Sequence, residues 1–241
     1  MPAWLGRVLD SLATEPGRIS LHLQAHAPDG TLLRSRKRTI GASHAFKVPV
    51  VCAACNNGWM SQLELDVRPH LEPMVRGEVI ELDASAQEVV TRWAIKTAFM
   101  FDRFHADEPV VPVAVLRRFY EERNPPHSTR VWLAHLAELS DAGLVGYIRA
   151  SDLTTEASGG VPKGVPNGLV LTLLLAHLVM QVTVVGRPGL SREHRRPMPN
   201  DFLRQVWQSR DEVISWPPAK PMDRPSFLTF ANADVLDSWG S

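Results

Sequence analysis

Gly168 to Gly186 reads GLVLTLLLAHLVMQVTVVG. The run is long enough to approach a bilayer span. It carries His177 and Gln181 near its middle and is dense in β-branched residues toward its end. Those features predict one or two buried strands rather than a transmembrane helix. Upstream, Thr129 to Ala137 and Gly143 to Ala150 also read as strands, and the connection Leu153 to Asn167 is rich in Gly, Pro, Ser and Thr. Downstream, residues 187–200 form a polar, proline-bearing connection, Asp201 to Gln208 a short helix, and Trp216-Pro217-Pro218 the start of an irregular tail.

The N-terminal part adds helices to this sheet. Trp4, Leu5, Val8, Leu9 and Leu12 recur at helical spacing until Pro16-Gly17 stops them. From Ile19 apolar and polar residues alternate, and Pro28-Asp29-Gly30 is a turn. A second strand follows from Thr31 to Ile40, which completes a β-hairpin. Phe46 to Val51 reads as a short strand leading into Cys52-Ala-Ala-Cys55. An asparagine cap then opens a helix with Trp59, Leu63, Val67 and Leu71 on one stripe, ended or kinked by Pro69 and Pro73. Gly77 to Leu82 is a short strand or turn. Ser85 to Phe104 and Pro112 to Glu122 are helices. The expectation is an α+β protein with an N-terminal hairpin plus helix and a mixed helix/antiparallel-sheet domain behind it, divided near residue 80.

The bulk numbers agree with a globular chain. In 241 residues, 26 Lys+Arg balance 26 Asp+Glu, and 44% are hydrophobic. Disorder, collagen and coiled-coil rods are excluded, and a strongly basic coat protein is disfavoured, though a local basic patch is not. The N-terminus MPAWLGRVLD lacks the basic and apolar regions of a signal peptide, so a cytoplasmic protein with no membrane partner is expected.

Cys52 and Cys55 are the chain's two cysteines. Two residues between thiolates give the bite that zinc needs, but a structural site takes four ligands. His22, His26 and His44 are the nearest additional donors in sequence. His22 and His26 would stand about 13 Å apart on one strand face at a rise of ~3.3 Å per residue, too far for one ion. A redox pair at a strand-to-helix junction, or two thiols without a role, fits the spacing as well. Arg34, Arg36, Lys37 and Arg38 make the second hairpin strand basic. Alternation puts Arg34, Arg36 and Arg38 on one face, where they can contact successive phosphates or simply protect an edge strand. Arg192, His194, Arg195 and Arg196 form a second basic cluster. There is no P-loop, dinucleotide glycine pattern or Ser/His/Asp order.

The run Val51-Cys52-Ala-Ala-Cys55-Asn56-Asn57-Gly58-Trp59-Met60-Ser61-Gln62-Leu63-Glu64 resembles the second metal-binding half of an HNH-endonuclease-like family, where CxxCNxGWM opens the helix of a treble-clef, ββα-metal finger. Trp93-Ala-Ile-Lys96-Thr-Ala98 resembles a downstream WAxKTA run, and Trp216-Pro217-Pro218 a later one. Met1-Pro-Ala-Trp4-Leu5 resembles the tail of the family's first half, whose cysteine pair and catalytic histidine have no counterpart here. The resemblance implies a finger region over 1–80 followed by an α+β domain over 81–241. It implies structural zinc at Cys52 and Cys55, a catalytic Mg²⁺ or Mn²⁺, and hydrolysis of DNA phosphodiester bonds. In that chemistry a histidine is the general base, an asparagine orients it, and a later histidine or asparagine ligates the ion. His44 and Asn57 are the candidates for these later roles, and Arg34, Arg36, Lys37 and Arg38 for DNA contacts. Without the first half, the chain as written is expected to be inactive or N-terminally incomplete. The alternatives are a non-catalytic nucleic-acid-binding or interaction protein with a degenerate zinc finger, and, third, a thiol-redox protein.

Overall fold

The computed structural model describes residues 2–13, 19–26, 32–40, 51–105, 109–127, 129–138, 143–151, 168–185, 201–207 and 212–232. For 19–26, 32–40, 105, 143–151, 185 and 232 it describes the backbone. Helix α1 (Ala3–Leu12) opens the chain, and strands β1 (Ile19–His26) and β2 (Leu32–Ile40) follow as an antiparallel hairpin. A one-turn helix α2 (Ala53–Asn57) runs into α3 (Trp59–Arg76). Next come β3 (Ile80–Leu82), α4 (Ala84–His105) and α5 (Val113–Glu122). Strands β4 (Thr129–His135), β5 (Gly143–Ser151), β6 (Gly168–Leu175), β7 (Leu178–Val185), β8 (Arg204–Gln205) and β9 (Ile214–Trp216) precede helix α6 (Arg224–Asn232). The expected α+β class holds.

One sheet of seven strands runs β2-β1-β5-β6-β7-β4-β8. Its pairs are antiparallel except β1 with β5, which is parallel. The apolar run is the β6–β7 hairpin at the centre of this sheet, closing at Leu175 opposite Leu178. Every residue of β6 is buried, because helices cover both faces. Leu169, Leu171, Leu173 and Leu175 join a core with Trp4, Leu9, Val67 and Trp93 from α1, α3 and α4. Leu174 and Val179 point the other way, into a second core with Trp132, Phe227 and Phe230. A strand buried on both faces carries no polar alternation, which is why the sequence shows a continuous apolar run. Gln181 stays in the second core by donating to Thr172 Oγ1 (3.0 Å) and the Phe230 carbonyl (3.3 Å). Among the described residues no helix is long and apolar enough to cross a membrane.

Four local expectations are corrected. Pro69 and Pro73 lie inside α3 and do not end it, since Leu63, Val67, Leu71, Met74 and Val75 bury one stripe across them. Residues 201–207 form no helix: Arg204 and Gln205 pair with Leu133 and Trp132 as an edge strand, and Val206 N–H donates to the Val131 carbonyl. Residues 212–232 are not irregular. Strand β9 pairs with β3, and Asp223 caps α6 by accepting from the Ser226 N–H at 2.8 Å. Asn56 and Asn57 do not cap a helix but sit within α2, whose N-cap is Cys52. The expected strand over Phe46 to Val51, the loop over Leu153 to Asn167 and the connection over 187–200 lie outside the described residues, apart from Val51.

Candidate metal and nucleic-acid site

The cysteine pair is built by a single turn of helix. Cys52 is extended, and its Sγ accepts from the Cys55 N–H at 3.4 Å. That bond turns the second thiol back toward the first, and the sulfurs share a hydrogen bond of 3.1 Å. Both cysteines are free, Cys52 exposed and Cys55 partly so. Cys55 holds the Cys52 thiol below its ordinary pKa, first through its side chain and then through its N–H. The same contact with Cys52, followed by burial, pushes Cys55 up, while the Tyr120 hydroxyl and Arg123 act against the rise. The contact thus favours ionisation of Cys52 over Cys55. Two sulfurs on a tetrahedral zinc stand about 3.8 Å apart, given Zn–S bonds of ~2.3 Å, so the pair needs to open by well under an ångström. This supplies two ligands of four. Among the described residues no group of three or more His, Cys, Asp and Glu converges to hold an ion.

Behind the pair the chain must turn into α3, and Gly58 makes that possible. A Cβ there would meet the Ala54 carbonyl oxygen at 2.7 Å. The turn delivers Trp59, which packs edge-on against Phe119 and Tyr120 and carries the Arg123 guanidinium 4.1 Å from its ring centroid. Arg123 also stands 4.5 Å from the Tyr120 ring centroid, so the end of α5 is fastened beside Cys55.

One helical turn further, Glu64 reaches α4. Its Oε2 accepts from Trp93 Nε1 at 2.8 Å, and its Oε1 pairs with Lys96 Nζ. The Lys96 and Glu64 side chains are 6% and 18% exposed. The two runs that carry the family resemblance are therefore joined by one carboxylate and two donors. Trp93 and Lys96 stand three apart and share a helix face. A lysine on a buried stripe demands an acceptor, and that demand is the signal the sequence held for Glu64. The part played by Tyr120 and Arg123 beside Cys55 had no such signal, because α5 reaches the thiols only through the fold.

Between α1, α2, α3, α4 and the sheet lies a cleft of about 980 Å³. Glu64, Trp93 and Lys96 line it, with Asn56 and Asn57 from the cysteine turn. Asn57 Oδ1 accepts from Asn56 Nδ2 at 3.3 Å, and both asparagines are exposed. Asn57 thus lies beside the cysteines and at the cleft. His44 lies outside the described residues, as do all positions from 41 to 50. Arg34, Arg36, Lys37 and Arg38 are in β2, which ends the sheet order, opposite Ala25, Leu23, His22 and Leu21. The backbone of that strand is described and its side chains are not, so the shared basic face lies outside what is described. Comparison of the chain with protein-family models, with curated proteins and with solved structures gives no match.

Proposed function

We propose that this chain is an HNH-endonuclease-like protein; its resemblance implies metal-dependent hydrolysis of DNA phosphodiester bonds, while the family's first cysteine pair and catalytic histidine have no counterpart in the sequence given. The observation that carries the reading is the convergence of the Cys52 and Cys55 sulfurs at 3.1 Å at the turn into α3, in a geometry suited to two of the four ligands of a zinc site. The Glu64 link to Trp93 and Lys96 supports it, because the two resembling runs form one structural unit. In this reading Cys52 and Cys55 give zinc two ligands and fix the turn that presents Asn57. Asn57 orients a base or a bound divalent ion, with His44 as the other candidate for that role. When bound, Mg²⁺ or Mn²⁺ supplies charge neutralisation at the scissile phosphate. Arg34, Arg36, Lys37 and Arg38 hold the DNA backbone and make affinity fall with salt.

The test measures zinc content and nicking of supercoiled plasmid by the full chain, with and without Mg²⁺ or Mn²⁺, and repeats both with Cys52→Ser. Zinc that is lost in Cys52→Ser is expected, and nicking that needs the divalent ion would mean that a residue of this chain, His44 among the candidates, serves as the general base. Zinc with salt-sensitive DNA binding but no nicking turns the reading to a non-catalytic DNA-binding protein. Equal metal content in the native chain and Cys52→Ser sinks every metal-based reading.

A further inference from the structure

Cys52 and Cys55 are placed for chemistry with each other as well as with a metal. Their sulfurs stand 3.1 Å apart. A disulfide bond is about 2.05 Å long, so roughly 1 Å of approach separates the two thiols from a covalent link. The backbone between them is a single closed turn, in which the Asn56 N–H donates to the Cys52 carbonyl at 3.0 Å and the Gly58 N–H to the Ala54 carbonyl at 3.0 Å. Closure therefore calls for rotation of two side chains, not for a change of fold. Both thiols are free, and they differ in access. Cys52, the extended residue ahead of α2, is exposed. Cys55 is partly covered and has Tyr120 and Arg123 of the α5 end beside it. A molecule in the cleft does not occupy the pair, because Ala53, Asn56 and Asn57 of this turn line the cleft and the cysteines do not.

We propose that Cys52 and Cys55 form a reversible thiol–disulfide pair, with exposed Cys52 as the attacking sulfur, Cys55 as the resolving sulfur, and a low-molecular-weight disulfide of the glutathione type as the oxidant. The assignment stands on the sulfur separation and the difference in access, and it holds whether or not the chain acts on DNA. In the first step Cys52 gives up its proton and attacks one sulfur of the oxidant. The oxidant's S–S bond breaks, one half stays bonded to Cys52, and the other half leaves and takes up a proton. In the second step Cys55 gives up its proton and attacks Cys52 Sγ, and the bound half leaves as a second thiol. The two cysteines lose two electrons and two protons in all, and the oxidant is reduced to two thiols. Sulfurs bonded to each other cannot serve as thiolate ligands, so closure and the zinc binding proposed above exclude each other. Zinc on the pair protects it from oxidation, and oxidation keeps zinc off.

The test uses the full chain, freed of metal with a chelator and held in glutathione buffers from fully reduced to fully oxidised. Remaining thiols are trapped with iodoacetamide and the chain is weighed by mass spectrometry. Both alkylation sites are expected to vanish together as the buffer becomes oxidising, with no glutathione attached and no chains linked, and dithiothreitol is expected to restore them. Two single variants read the order of attack. Cys55→Ser is expected to accumulate glutathione on Cys52, because nothing resolves the mixed disulfide. Cys52→Ser is expected to take up glutathione on Cys55 about tenfold more slowly. Zinc added before the oxidant is expected to slow closure by about tenfold or more. Thiols that stay alkylatable in fully oxidised glutathione, or disulfides that link two chains in place of the pair, overturn the proposal. Equal uptake of glutathione by the two variants overturns the assigned order. Closure in a chain that takes up no zinc leaves this proposal standing and removes the zinc reading. Zinc that Cys52→Ser loses, in a chain whose metal-free form does not close, does the reverse.

Discussion

Glu64 shows how one residue can join two segments. It is an intermediate-burial carboxylate on α3, and both of its oxygens are spent on α4, one on an indole N–H and one on the Lys96 ammonium. Removing one member of such a pair is worse than removing both, because the survivor keeps its charge without its partner. Lys96→Met is expected to cost about 3 kcal/mol of unfolding free energy, read from urea denaturation, since Glu64 is left half-desolvated with one neutral donor. The double variant Glu64→Leu/Lys96→Met is expected to cost less than the sum of the two single changes. A coupling of ~1 kcal/mol or more in that cycle is the expected result, and strict additivity would show that the pair contributes nothing to the packing of α3 on α4.

Helix α3 is the element where local preference and tertiary packing disagree most. A proline inside a helix removes a hydrogen bond and costs roughly 3 kcal/mol. Two of them predict a break, and the helix nevertheless runs to Arg76. Five side chains buried on one stripe offset that cost, at about 1.5–3 kcal/mol each. Sequence reading weighs the prolines and cannot see the surface that α3 packs against. The end of the helix is set elsewhere, at Gly77, which takes φ +76° and donates to the Met74 and Pro73 carbonyls. A Cβ at Gly77 would meet the His177 ring at 3.0 and 3.1 Å. That ring is held by its Nδ1 to the Leu136 carbonyl at 2.9 Å, and the His177 N–H donates to the Val75 carbonyl at 3.3 Å. Beside it lies His135, whose pKa is lowered by burial and then by His177. Gly77→Ala is therefore expected to lower stability by about 1–3 kcal/mol, combining left-handed backbone strain with crowding of a fixed ring. A thermal-melt midpoint unchanged from the parent would show that the β6–β7 turn yields freely.

At the scale of the molecule, the sheet has two covered faces, and this decides what could be read in advance. The apolar run gave away β6 and β7, because His177 and Gln181 near its middle and the β-branched residues toward its end favour buried strands over a membrane helix. The helices α1, α4 and α5 were legible from their spacing and stops. Helix α6 was not, since its few apolar positions follow a proline-rich stretch and have meaning only against Trp132, Leu174 and Val179. The thiol pair was legible as a motif, and its link through Glu64 was not read, although Lys96 on the apolar stripe of α4 held the signal for it. The cleft was not legible, because five elements distant in sequence enclose it. The role of α6 has a direct consequence. Phe227 and Phe230 are each 3% exposed, and they close the second face of a sheet whose first face is closed by α1, α3 and α4. Phe230 also supplies the carbonyl that accepts from buried Gln181. Phe230→Ala keeps that carbonyl and removes the ring, so it isolates packing from hydrogen bonding. The expected loss is about 3–5 kcal/mol, the range for emptying a buried aromatic site. Ending the chain at Asp223 removes ring and carbonyl together and leaves Gln181 and a row of apolar strand residues facing water. That truncated chain is expected to bind a hydrophobic dye and unfold without a sharp transition. A sharp transition near the parental midpoint, with no dye bound, would show that the first core alone holds the sheet and that α6 only decorates its outer face.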